Sequence, residues 1–131
     1  MTDWNTQTAL RTLAQECRGE PLIGQQAVAA VLVNRLKDGR WGNCLASVCL
    51  WRGQFSGWYV PRDPNFAYAC ALPDRHPILL RFEPILSCAL EGLDPTQGAK
   101  FYVNLSHADP KWKDDMEFCG KFGAHSFYKE K

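Results

Sequence analysis

A mostly α, α+β domain with a small β element is what this sequence predicts, on three observations. Two stretches near the N-terminus, TQTALRTLAQECR (6–18) and GQQAVAAVLVNRL (24–36), carry apolar residues at helical spacing. A third, PILLRFEPILSCALEG (77–92), reads the same way. Strong β-formers cluster late, as Phe101, Tyr102 and Val103 and again within GAHSFY (123–128).

Taken in order, the first helix places Leu10, Leu13, Ala14 and Cys17 at i, i+3, i+4 and i+7, with Asn5 or Thr6 available as N-cap. It ends near Gly19, because Pro21 biases Glu20 away from helical angles. The second helix, Gly24 to Leu36, is apolar around most of its circumference, as a helix buried in mid-domain should be. KDGRWGN (37–43) then breaks it with two glycines. CLASVCLW (44–51) fits a short helix, and RGQFSGWYVPRDPN (52–65) reads as a turn-rich loop. NFAYACAL (65–72) fits another short helix. In the 77–92 helix, Pro84 marks a kink or a fresh start. DPTQGAKFYVN (94–104) reads as a turn and a strand, and GAHSFY repeats the strand pattern and is placed to pair with it.

A chain of 131 residues is bounded to one domain, 1–131, large enough to bury a core unaided. Hydrophobic content of 46% with 22% charged residues excludes a disordered or fibrous protein. A net charge of +1 and no basic stripe argue against nucleic acid as a partner. No apolar run approaches the ~18 residues that span a bilayer, so membrane insertion is not expected. MTDWNTQTAL has neither a basic lead nor an apolar segment, so synthesis in the cytoplasm without a signal peptide is expected. A monomer is expected.

Six cysteines, Cys17, Cys44, Cys49, Cys70, Cys88 and Cys119, leave open free thiols, disulfides or metal. Cys44 and Cys49, and Cys119 with His125, lack the paired C-x2-C spacing of a structural zinc site. Buried free thiols are the favoured reading, with no metal or other cofactor.

Several residues carry possible chemistry. Glu16 falls in the last turn of the first helix, where unpaired carbonyls disfavour a second negative charge. Aromatic walls would add desolvation, and both effects raise a carboxyl pKa. A glutamic acid protonated near neutral pH is what glycosidic cleavage needs from its proton donor. From helix position alone, a solvated Glu16 paired with Arg11, Arg18 or Arg35 is the simpler reading. Glu20 is a turn residue that caps the second helix or holds an arginine, or else assists catalysis directly.

Trp41, Trp51, Phe55, Trp58, Tyr59, Tyr102 and Trp112 lie mostly in or beside loops, as sugar-stacking rings do. Trp41 and Trp51 are better core candidates. Gln54 and Ser56, flanking Phe55, offer bonds to hydroxyls and acetamides. His76 is expected in an exposed loop, while His125 is either buried and satisfied or part of a cleft. A nucleophilic Cys17 with His125 or His107 is disfavoured because Cys17 falls on the apolar face.

AQECRGEPLIGQQAVAAVLVNR (14–35) resembles the opening of the SleB/CwlJ-type cell-wall hydrolases, whose motif runs E-A-R-G-E-P, G-Q-x-A-V-A, N-R. The likeness continues through QFS (54–56), DPTQGAKFYVN (94–104), Trp112 and GAHSFY (123–128), in order along nearly the whole chain. Cys17 departs from the family's usual alanine, and the 52–65 loop matches loosely. The resemblance implies a lysozyme-like fold and cleavage of peptidoglycan glycan strands, with Glu16 as catalytic acid. Glu20, Gln54, Phe55 and Ser56 match family positions near the cleft, and Tyr102, Trp112 and His125 join them as candidate substrate contacts. No separate wall-binding module is expected.

A lytic transglycosylase cutting the MurNAc–GlcNAc bond is the expected activity, in a bacteriolytic endolysin released through a holin-type pore. The alternatives are a hydrolytic muramidase assisted by Glu20 or Asp109, a non-catalytic murein-binding module, or an amidase.

Overall fold

The computed structural model describes residues 3–60 and 62–131. Met1, Thr2 and Pro61, one of the prolines of the expected loop, lie outside the described residues.

Helix α1 spans Trp4–Cys17 and buries Leu10, Leu13, Ala14 and Cys17 as the spacing predicts. Its N-cap is Asp3, not Asn5 or Thr6. The Asp3 carboxylate accepts the Thr6 backbone N–H at 2.9 Å and the Thr6 hydroxyl at 2.9 Å, which starts the helix at Trp4, ahead of the expected residue 6.

Helix α2 spans Leu22–Asp38, directly after Pro21, whose fixed φ of −63° is set for helix entry. Ala27 through Val33 are all buried, so α2 is the central helix of the core. Gly39, with φ +90°, donates its N–H to Arg35 O and closes the helix.

Three short helices follow. α3 is Leu45–Leu50 and α5 is Pro64–Ala71, both near the expected positions. α4, Ser56–Tyr59, is a single turn inside the stretch expected to be loop throughout. Helix α6, Pro77–Leu90, passes through Pro84 without restarting. An interior proline costs roughly 3 kcal/mol. Burial of Leu79, Phe82, Ile85, Leu86 and Ala89 along one face offsets it. His76 is not a plain loop residue: its Nδ1 accepts the Ile78 N–H at 3.1 Å and caps α6.

The sheet is antiparallel, in the order β1-β3-β2, with β1 Phe101–Val103, β2 Met116–Phe122 and β3 His125–Glu130. Tyr102 pairs with Phe127, so the two predicted strands do meet. β2, and the 3-10 turn Lys111–Asp115 before it, were not expected. Leu10, Leu13, Val28, Val31, Leu32, Leu79, Phe82 and Phe127 are fully enclosed and form the centre of the core.

One loop fixes where β1 begins. Asp94 accepts from Thr96 N at 2.8 Å, Thr96 Oγ1 at 2.6 Å, Gly98 N at 2.8 Å and Asn34 Nδ2 at 2.9 Å. Asn34 Nδ2 also donates to Ala99 O, and Arg35 Nε donates to Lys100 O at 2.8 Å. The Asn34–Arg35 pair on α2 thus pins the strand that carries Tyr102. Burial pushes the Asp94 carboxyl up, but the bonds from Thr96, Asn34 and Gly98 outweigh it and hold it below the usual range. Asp94 therefore contributes stability that is present above its ordinary value and lost as pH falls through the lowered one. Asp94→Ala should lower stability by about 1–3 kcal/mol in urea melts, and the difference should shrink in acid.

All six cysteines are free thiols. Only Cys17 and Cys49 are buried as expected; Cys70 and Cys88 are exposed, and Cys44 and Cys119 lie between. Burial pushes the Cys49 thiol up to about 12 and Cys17 higher still, so neither is a ready nucleophile. Among the described residues no helix is long and apolar enough to cross a membrane.

Candidate active site

Glu16 stands in the last turn of α1, half-buried beside the apolar face that Leu13 and Cys17 turn to the core. The Tyr102 hydroxyl donates to Glu16 Oε1 at 2.6 Å, a short bond of the kind made to carboxyl oxygens. Burial is the largest influence on Glu16 and pushes its carboxyl above the usual range, with the nearby Asp63 charge adding to it. The Tyr102 bond and the Arg35 charge oppose that rise without cancelling it. Burial, with the Glu16 charge beside it, keeps the Tyr102 hydroxyl protonated and able to donate.

The ion-paired reading of Glu16 is corrected. Arg11 donates to Ala69 O, Leu72 O and Asp74. Arg18 donates to Ala14 O and Asn65 Oδ1, with its guanidinium 4.0 Å above the Tyr68 ring. Arg35 donates to Lys100 O and lies over Trp41, Phe55 and Phe101 at 4.9, 5.4 and 5.6 Å. It influences Glu16 only through its field.

Beside Tyr102 runs a groove of about 600 Å³, lined among others by Arg35, Gln54, Pro110, Trp112 and Met116. Tyr102 links groove and carboxyl: it lines the first and its hydroxyl bonds Glu16, which is not itself among the lining residues. The groove offers ring faces in Tyr102, Trp112 and Phe101, with amide chemistry from Gln54.

Gln54, Tyr102 and Trp112 therefore sit together, as expected of a cleft. Phe55 does not. It is 3% exposed and fills the core under Arg35, because the chain turns it inward just before α4. Ser56 does not line the groove either; its hydroxyl donates to Asp63 Oδ2 at 3.0 Å. His125 meets Tyr102 edge-on at 5.0 Å between ring centres, behind the groove rather than in it.

Glu20 neither caps α2 nor holds an arginine. Its Oε1 accepts the Ala124 N–H at 2.7 Å, tying the α1–α2 corner to the β2–β3 turn. Asp109 is exposed and paired with Lys113 at 2.9 Å. Trp41 is in the core as expected, but Trp51 is 44% exposed.

Asp63 was missed as a group acting on Glu16, and Arg35, expected as an ion-pair partner, acts on it only through its field. The signal for Arg35 was present: a lone cation in the apolar run GQQAVAAVLVNRL, buried at 4% exposure. Asp63 gave none, since it depends on how the 52–65 loop folds back.

A model of the cell wall hydrolase family matches residues 19–128, starting just after Glu16. Spore cortex-lytic enzymes are similar: that of Bacillus cereus is 32% identical over 117 residues, covering 87% of this chain and 40% of the relative. That of Bacillus subtilis is 32% identical over 125 residues, covering 90% of this chain and 36% of the relative. The chain thus spans about two fifths of the length of these relatives.

Among solved structures, the catalytic domain of the germination-specific lytic transglycosylase SleB from Bacillus anthracis superposes with a TM-score of 0.75 at 28% identity, over 95% of this chain and 93% of that one. The catalytic domain of the Bacillus cereus SleB protein gives 0.76 at 28% identity, over 95% and 89%. The fold is therefore the lysozyme-like, mostly helical one of those catalytic domains. On that shared architecture, with the family match running along most of its length, this chain belongs to the cell wall hydrolase family.

Proposed function

We propose that this chain is a lytic transglycosylase that cleaves peptidoglycan glycan strands between N-acetylmuramic acid and N-acetylglucosamine, with Glu16 as the proton donor. The observation that carries this reading is the half-buried Glu16 carboxyl, held by Tyr102 at 2.6 Å beside an aromatic groove. The solved neighbour described as a lytic transglycosylase supports it.

In the first step Glu16 gives its proton to the bridging oxygen as the bond to the anomeric carbon breaks. The Glu16 carboxylate then takes the proton of the muramoyl 6-hydroxyl, whose oxygen closes onto that carbon and leaves a 1,6-anhydro end. Glu16 finishes protonated, so the cycle balances. The nucleophile is part of the substrate, and that effective-molarity advantage removes the need for a second catalytic carboxylate. A hydrolytic muramidase would need one to direct water. Glu20 is bonded to Ala124 and Asp109 is paired with Lys113, so neither favours that reading.

Two of the relatives are named as spore cortex-lytic enzymes, so cortex peptidoglycan is the first substrate to assay. Host lysis through a holin pore gains no support from them. Mass spectrometry of digested cortex and vegetative sacculi tests the reaction: anhydromuramoyl ends support it, and reducing ends alone would replace it with hydrolysis.

Tyr102→Phe keeps the ring and removes the bond. Because that bond lowers the Glu16 pKa, its loss should raise it further and move the alkaline limb of the pH–rate profile upward. The carboxyl also loses its orientation, so turnover should fall by about 10- to 100-fold. An unmoved limb would mean that the bond does not form in solution.

A further inference from the structure

Glu20 lies four residues beyond Glu16 and is the obvious second carboxylate, but its surroundings give it another task. We propose that Glu20 is a positioning residue for Glu16, locking the β2–β3 turn so that His125 braces Tyr102 and Tyr102 aims the Glu16 carboxyl. This rests on Glu16 being the proton donor.

The connection can be followed atom by atom. Glu20 Oε1 accepts the Ala124 N–H at 2.7 Å, and its side chain is only 18% exposed. The turn is shaped around that carboxylate. Gly123 has φ +64°, and a Cβ there would stand 2.2 Å from Glu20 Oε1 and 3.1 Å from Pro21 Cδ. On the other side Gly24 packs against Glu20 Cβ and Phe122 O, both 3.3 Å from where its Cβ would be. Two glycines thus make room for one acidic side chain between the helical corner and the hairpin.

His125 follows the turn directly. Its Nδ1 is enclosed, has no hydrogen-bond partner, and points to Glu20 Oε1 at 3.7 Å. Burial pushes the imidazole down while the Glu20 charge pulls it up. The ring stands edge-on to Tyr102 at 5.0 Å and 78°, and Phe127, on the same face of β3, flanks Tyr102 at 5.4 Å. Tyr102 completes the path at Glu16. A carboxylate engaged this way has one oxygen committed to a backbone donor, and Glu20 is not among the residues lining the groove.

The test uses the whole chain and two variants, with two readouts: steady-state cleavage of purified sacculi and carboxyl-carbon NMR titration of Glu16. Glu20→Ala removes the latch, so kcat should fall by about 10- to 100-fold with KM within about twofold. The Glu16 midpoint should also move, although Tyr102, Asp63, Arg35, Cys17 and Cys49, the groups whose titration is linked to that of Glu16, are all unaltered. Glu20→Gln keeps an oxygen for Ala124 N–H and should stay within about threefold of the parent.

If Glu20→Ala does not fold, Gly123→Ala displaces the same carboxylate without changing any charge and should give the same pair of changes. Unchanged kcat and midpoint in the latch variants would overturn the proposal. So would a Glu20→Gln as inactive as Glu20→Ala with the Glu16 midpoint unmoved, since Glu20 would then react itself. If the parent releases no anhydromuramoyl product, the functional reading fails, while the Glu16 midpoint still decides the positioning.

Discussion

Glu16→Gln should reduce release of anhydromuramoyl ends from sacculi by about 10³-fold, within the ~10²–10⁴ range typical of a lost general acid. The replacement is nearly isosteric, and its amide oxygen still accepts the Tyr102 hydroxyl, so the loss is one of proton supply and not of shape. The same change should raise the melting temperature at neutral pH.

The sign follows from burial. A carboxyl whose folded-state pKa is raised binds its proton more tightly in the native protein than in the unfolded chain. Above the ordinary carboxylate range the native state therefore carries a penalty that the unfolded chain does not. Glutamine removes it, a gain of about 1 kcal/mol of the size often released at functional positions. In acid below that range the two proteins should melt together. Undiminished cleavage by the variant would end the assignment of Glu16 as donor, and a lower melting temperature would show that the carboxyl is not strained by burial.

The largest expected stability effect lies at Phe127. It is fully enclosed on the middle strand, with ring centres at 5.4 Å to Tyr102, 5.7 Å to Phe122 and 6.4 Å to His125. Phe127→Ala should cost about 3–5 kcal/mol, from lost transfer energy plus the cavity that remains. Against a typical total of about 5–15 kcal/mol, that takes much of the domain's margin. Urea melts should show a midpoint shift larger than that of Asp94→Ala. Phe127→Leu, which leaves a smaller void, should recover most of it. Because the same ring supports Tyr102, residual folded Phe127→Ala should also be catalytically impaired. Full turnover with a native-like midpoint would mean that the sheet does not depend on this ring.

Much of this was legible in the residues, for identifiable reasons. Long periodic runs announced α1, α2 and α6, and the late β-formers announced β1 and β3. β2 escaped notice because MEFCGKF carries a glycine and two charges and buries none of its residues fully, so no alternation marks it. Pro84 looked like a break, yet the apolar face on both sides of it outweighs one missing N–H.

At the site, Glu16 was singled out by motif resemblance, since helix position alone pointed to a solvated, ion-paired carboxylate. Its partner Tyr102 was expected only as a sugar contact, since no sequence spacing shows that its hydroxyl reaches α1. Phe55 and Ser56 were misplaced for a related reason: in a turn-rich loop, which way a side chain points is decided by tertiary packing. Glu20 matched the motif, but what it holds lies at the other end of the chain.

That distance has a further meaning for biosynthesis. Glu16 and its tyrosine are 86 positions apart, and among the described residues the three-residue strand bearing the tyrosine has β3 as its sole sheet neighbour. While a ribosome is still extending the polypeptide toward residue 130, the acid exists without its aiming partner. The Tyr102–Glu16 bond is thereby withheld from every unfinished copy, by topology alone.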